Sequence, residues 1–231
     1  MSLPDVLLLP GLMCDERLWA PQISVLGDSA SVADLTRHDS IEALAADVID
    51  RAPDRFAIAG LSMGGIVAFE IWRQAPERVT HLALIDTTPH ADTEEKRATR
   101  LEQVHRALLG ELREVAVESL KPVYLAEANR DDEVLLGTLL DMSLEMGPEV
   151  FERQSSALAG RADSVATLAT IDCPTVVICG DEDRVCPVEL HELMAREIPR
   201  ARLRIAADCG HISTLERPDV VNDEFLRLLA A

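Results

Sequence analysis

Nowhere does the sequence run for the roughly 20 apolar residues that a bilayer-spanning helix requires, and no membrane span is expected. The opening stretch, MSLPDVLLLPGLMC, lacks a basic leader and is interrupted by Asp5 and Pro10, so it is not read as a secretory signal. Basic residues are scarce: 22 Lys and Arg stand against 41 Asp and Glu, a net charge of −19. Nucleic acid and anionic membrane surfaces are therefore not expected partners. Cysteine is sparse too, with five residues at 14, 173, 179, 186 and 209 and no CxxC spacing. An odd number of scattered thiols fits a reducing cytoplasm better than a disulfide framework. No His, Cys and acid cluster has metal-ligand spacing, and the SMGGI run lacks the GK[ST] of a phosphate loop; no metal or cofactor is expected.

What is present is enough apolar residue, 48% of 231, for one sizeable core, with room for an insertion. The runs VLLL (6–9), FAIA (56–59), HLALI (81–85) and TVVIC (175–179) read as strands buried on both faces, and SVAD (31–34) and RLRIA (202–206) as weaker ones. Helical patterns fall between them at about 16–26, 40–51, 63–75, 188–198 and 214–230. Such alternation predicts right-handed βαβ units and a parallel sheet with helices on both faces. It breaks between Thr87 and about Gly160, where two long amphipathic patterns, 94–120 and 131–146, are punctuated by Pro122, Gly147 and Pro148. We read residues 1–86 and 161–231 as the core and 87–160 as an inserted helical lid. Six of the eleven glycines (11, 60, 64, 65, 180, 210) fall at strand ends or open the following helix. That marks the sheet's carboxyl edge as the functional one.

At this edge lies Gly60-Leu61-Ser62-Met63-Gly64, after a predicted strand and before a predicted helix. A nucleophile there must stand on a strained turn, and its neighbours two residues away on each side must be small to avoid main-chain collision. A serine hydroxyl also needs a base. Of the six histidines, His81 opens a strand, His105 and His191 read as helix-surface residues, and His38 and His90 lie in loops, His90 at the start of the lid. His211, in ADCGHISTLERP, follows the last strand candidate and would hang over the same edge as Ser62. The carboxylate that orients it comes from CGDEDRVCP: Asp183 is favoured by its spacing from Gly180 and Pro187, with Asp181 and Glu182 solvating the loop. Asp86, at another strand end, is the rival. Main-chain donors for a developing oxyanion are expected at Met63, beside the nucleophile, and at Leu12, in the loop after the first strand.

These residues carry a resemblance. GLSMGG (60–65), CPTVVICGDEDRVCP (173–187), IPRARLRI (198–205) and CGHISTLERP (209–218) are similar to the α/β-hydrolase superfamily. Within it they resemble the lid-bearing branch of 3-oxoadipate enol-lactonase-like hydrolases, small carboxylesterases and cofactor-free haloperoxidase-like enzymes. The resemblance spans nearly the whole chain, ALAGRADSVATLATI (157–171) included. It implies a Ser62–His211–Asp183 triad with Leu12 and Met63 at the oxyanion positions. Ser62 itself argues against dehalogenases and epoxide hydrolases of this fold, which use aspartate there. Two departures stand out. Pro10-Gly11 replaces the usual His-Gly of the oxyanion loop, and the N-terminal hairpin of most relatives is missing, so about six strands are expected.

The function this points to is hydrolysis of a small carboxylic ester or lactone through an acyl-enzyme. Acyl transfer or thioester hydrolysis by the same residues is the alternative, and a non-catalytic ligand-binding receptor a third reading. Aromatics make up 3% of the chain, so the pocket is expected to be mainly aliphatic, lined from residues 87–160. Monomer and homodimer are both open.

Overall fold

The computed structural model describes residues 3–120 and 123–230. Pro122, read above as a break in the lid, lies outside them. Six strands, β1 (Val6–Leu9), β2 (Ala30–Val32), β3 (Phe56–Leu61), β4 (Val79–Ile85), β5 (Thr175–Gly180) and β6 (Ala201–Ala206), form one sheet in the order β2-β1-β3-β4-β5-β6. Every pairing is parallel.

The apolar runs explain why. Successive side chains of a strand point to opposite faces, and here both faces are covered. Leu7, Leu9, Ile58, Leu82, Leu84 and Val177 pack into one core with α2 (Ile41–Arg51), α3 (Met63–Gln74) and α9 (Val188–Glu197). Val6, Leu8, Ala57, Ala59, Ala83, Ile85, Val176 and Ile178 pack on the other side with α1 (Ala20–Leu26) and α11 (Pro218–Leu229). A two-sided apolar strand is what a helix-covered parallel sheet requires.

β2 and β3 flank β1 on opposite sides, so the chain's path reverses there. At such a switch point the loops after adjacent strands diverge and leave a crevice at their carboxyl ends. The loop after β1 and the turn after β3 border this one.

Between β4 and β5 the described residues form no strand, and the α-helices there are α4 (Glu94–Arg106), α5 (Leu112–Val115), α6 (Glu133–Met146), α7 (Pro148–Gly160) and α8 (Val165–Leu168). The pattern read as continuous over 94–120 is broken, because the backbone kinks at Gly110, with φ +97°. Helix α7, not singled out from the sequence, starts with Pro148 at the position where a missing N–H costs nothing and buries Phe151, Gln154, Ser155, Ala157 and Leu158. Near the carboxyl end, the predicted 214–230 helix is two: α10 (Ser213–Glu216) and α11, separated before Pro218.

Candidate active site

Ser62 sits between β3 and α3 with φ +53° and ψ −113°, a conformation L-residues rarely adopt. The turn is strapped down on all sides. Ser62 N–H donates to Ile85 O at 2.9 Å, and Ser62 O accepts from Gly65 N, Ile66 N and the Thr87 hydroxyl, the last at 2.7 Å. A Cβ on Gly60 would lie 2.4 Å from Gly64 O, and one on Gly64 would lie 2.0 Å from Leu9 O. The small residues are therefore required by crowding within the turn and against β1.

His211 Nε2 lies 2.9 Å from Ser62 Oγ, and His211 Nδ1 lies 2.8 Å from Asp183 Oδ2. Because the carboxylate only accepts, Nδ1 carries the proton and Nε2 accepts from the serine hydroxyl. The other Asp183 oxygen takes the N–H groups of Val185 and Cys186, both at 2.8 Å. Burial pushes the Asp183 pKa up, but the His211 charge and these hydrogen bonds outweigh it and hold the carboxyl below its usual range. At His211, burial pulls down while the Asp183 charge and hydrogen bond raise, and the net direction is upward. The Tyr124 ring stands 5.4 Å from the imidazole, and Tyr124 O accepts His211 N–H.

Asp86, the rival carboxylate, is fully buried but engaged elsewhere. It accepts from Ser213 N at 2.9 Å, Ser213 Oγ at 2.8 Å and Gly180 N at 3.3 Å. Asp181 and Glu182 do more than solvate their loop: they accept from Cys209 N and Glu127 N. His38 lies 4.0 Å from Asp47, and exposed His90 pairs with Asp163 at 3.2 Å.

Leu12 and Met63 line the same cavity as Ser62 and His211. Met63 opens α3, so its N–H has no carbonyl a turn back within the helix. The loop holding Leu12 is fixed by a residue the sequence did not flag. Buried Gln154 accepts Met13 N–H at 2.9 Å and donates to Leu35 O at 3.0 Å, tying α7 to the loops after β1 and β2. Met13 itself has φ +54°. The loop after β1 is thus braced from α7.

His191 is a correction. It does not lie on a helix surface; it is fully buried and accepts Thr87 N–H at Nε2, 3.0 Å. Thr87 in turn braces Ser62, so α9 supports the turn indirectly. The signal was there: His191, Met194 and Ile198 share one apolar face at helical spacing. Burial pushes the His191 pKa from 6.5 down to about 4. The unfolded chain therefore binds the extra proton first. Stability from this residue is complete above pH 6.5, falls as pH drops toward 4, and has lost about 3 kcal/mol below that. We expect urea unfolding between pH 7.5 and 4.5 to show wild type losing about 2 to 3 kcal/mol more than His191→Gln. Equal losses in the two proteins would contradict this.

The pocket expected to be mainly aliphatic is largely apolar but carries charges that the sequence reading did not place there. The cavity of about 160 Å³ above Ser62 has apolar walls from Leu12, Ile66 and Leu158, but Asp92, Lys96, Arg100 and Arg161 line it as well. A sequence reading turns the charges of an amphipathic helix toward water. Here Asp92, just before α4, is buried and Arg100 reaches it at 2.7 Å, while exposed Lys96 borders the cavity.

All five cysteines are buried. Although no metal-ligand spacing exists in the sequence, Asp183, Cys186 and His211 present ligand atoms within 4.8 Å of one another. Both Asp183 oxygens and both His211 ring nitrogens are already engaged in the contacts above, which leaves little donor capacity for a metal. Among the described residues, no helix is long and apolar enough to cross a membrane.

A six-stranded parallel sheet with a strained strand–serine–helix turn defines an α/β-hydrolase architecture. Residues 6–224 match the family model of the alpha/beta hydrolase family, and the chain belongs to that family. It is 26% identical to a pimeloyl-[acyl-carrier protein] methyl ester esterase of Nitrosomonas europaea, over 94% of this chain and 92% of that protein. A thermophilic esterase of Thermogutta terrifontis, solved with malate bound, superposes with a TM-score of 0.88 at 28% identity, covering 100% of this chain and 92% of that one. An enol-lactonase of Burkholderia xenovorans shares the fold with a TM-score of 0.84 at 22% identity, over 100% and 93% of the two chains.

Proposed function

We propose that the protein hydrolyses a small carboxylic ester or lactone through an acyl-enzyme on Ser62. The observation that carries this reading is the unbroken hydrogen-bonded chain from Asp183 through His211 to Ser62. The similarity to proteins named as esterases supports it.

In the first step Ser62 Oγ forms a bond to the carbonyl carbon while its proton passes to His211 Nε2. The carbonyl oxygen becomes an oxyanion, held by the main-chain N–H groups of Leu12 and Met63; a donor of this kind is worth about a hundredfold or more. Asp183 stabilises the imidazolium and keeps its orientation. Collapse breaks the carbon–alkoxy bond, and the departing oxygen takes the proton from His211. Water then attacks the acyl-serine, giving its proton to His211, and the acid leaves as Ser62 recovers its hydrogen. With a lactone the alcohol and acid remain on one molecule.

The residues from 87 to 160 act as a lid in this reading. Tyr124 packs on the imidazole, and α4, α7 and the chain around Tyr124 contribute to the cavity wall. At about 160 Å³ the cavity is smaller than the roughly 300–1,000 Å³ of sites for drug-sized ligands and suits a short acyl group. Turnover of p-nitrophenyl butyrate and a lactone series by wild type and Ser62→Ala tests the proposal. No turnover by wild type, or equal turnover by both, would overturn it.

A further inference from the structure

The cavity above Ser62 holds more positive than negative charge, in a chain whose net charge is −19. Asp92, with a fully buried side chain, is shared by two guanidiniums: Arg161 Nη1 at 2.8 Å and Arg100 Nε at 2.7 Å. Lys96 and Arg100 lie one turn apart on α4, Asp92 just precedes that helix, and Lys96 lines the same space. Among the described residues no carboxylate lies within ion-pair distance of Lys96, and Asp92 is the one acid lining the cavity. Three cationic groups therefore face one carboxylate. Arg161 is only 5% exposed and also donates to the carbonyls of His90 and Leu158.

A structural tie between α4 and the end of α7 would need one guanidinium for one carboxylate. The second guanidinium and the ammonium exceed that need. Lys96 is exposed and keeps its hydration, but holding the second guanidinium's charge uncompensated beside buried Arg161 is unfavourable, unless an anion completes it during function. A guanidinium presents a planar fork that matches a carboxylate in two hydrogen bonds. Leu12, Ile66 and Leu158 give the same cavity apolar surface.

Resting on the ester-hydrolase reading, we propose that the substrate is an ester or lactone carrying a free carboxylate on a short chain, which the cluster of Arg161, Arg100 and Lys96 receives while Ser62 attacks the ester carbonyl. The half-ester of a short dicarboxylic acid is the simplest such molecule. One carbonyl is opened, and the other carboxyl group is recognised and left intact.

The test compares methyl hydrogen glutarate with methyl 5-methylhexanoate, which has the same chain and an isopropyl group of similar shape in place of the carboxylate. A charge-assisted contact of this kind predicts that kcat/KM for the charged ester exceeds that for the neutral one by roughly tenfold to a hundredfold. The preference should shrink as salt rises from 0.05 to 0.5 M, because the mouth of the cavity is open to screening ions. Replacing exposed Lys96 in Lys96→Glu should reduce the charged-to-neutral ratio at least tenfold, mainly through KM, whereas a merely structural loss would lower both substrates together. A neutral ester turned over as well as the charged one overturns the proposal and leaves the hydrolase reading standing. Calorimetry of Ser62→Ala with methyl hydrogen glutarate gives a readout without turnover. Binding that weakens with salt supports the anion subsite even if no ester is cleaved, and absence of binding overturns it.

Discussion

Ser62→Ala is expected to abolish ester turnover while leaving the molecule folded. Loss of the nucleophile in a serine triad costs on the order of a millionfold in kcat. The fold should survive because the side chain does little structural work: Ser62 makes no side-chain cap to α3, and its hydroxyl bonds to His211. The bonds that hold the turn belong to the main chain, Ser62 N to Ile85 O and Thr87 Oγ1 to Ser62 O, and alanine keeps both. Alanine also tolerates the positive φ no worse than serine does. Unchanged circular dichroism and melting, with p-nitrophenyl butyrate hydrolysis at background, is the predicted pair of results. Turnover that persists in a folded variant would contradict the role given to Ser62.

The second large effect separates two buried aspartates. Asp183→Asn should lower kcat about ten-thousandfold. The amide oxygen can keep the N–H groups of Val185 and Cys186, which turns its NH₂ toward His211 Nδ1. The imidazole must then accept at Nδ1 and carry its proton on Nε2, facing a serine hydroxyl it can no longer deprotonate. Asp86→Asn should behave differently. Three donors converge on that carboxylate, two on Oδ1 and one on Oδ2, so an amide leaves a buried N–H facing another donor. The expected cost is stability, about 1–3 kcal/mol, with a much smaller fall in kcat. Measuring kcat and urea midpoints for both variants checks this. Equal catalytic losses would mean that Asp86, not Asp183 alone, controls the base.

Much of the fold was legible because parallel strands buried on both faces leave a plain mark. VLLL, FAIA, HLALI and TVVIC each fall within a strand, and even the weaker SVAD and RLRIA overlap β2 and β6. The serine turn was legible because crowding at Gly60 and Gly64 constrains residue type over a span of five. What was lost lies where helical charge and polarity point inward. His191 belongs to a buried stripe, yet an imidazole scores as polar, so it was placed outside. Asp92, Lys96 and Arg100 were not singled out, because spacing gives a helix's stripes and not the direction each one faces. Gln154 escaped because its work is done across 141 residues, on the N–H of Met13. Only the packing of α7 against the loop after β1 brings that pair together.

The central claim is that Ser62 is activated through His211 and Asp183. It is tested most directly by reacting the intact protein with a fluorophosphonate and locating the adduct by mass spectrometry. The account predicts one phosphonate per chain on Ser62, with labelling strongly slowed in His211→Ala and absent in Ser62→Ala. No adduct on the folded wild-type protein, or one on another residue, would contradict it.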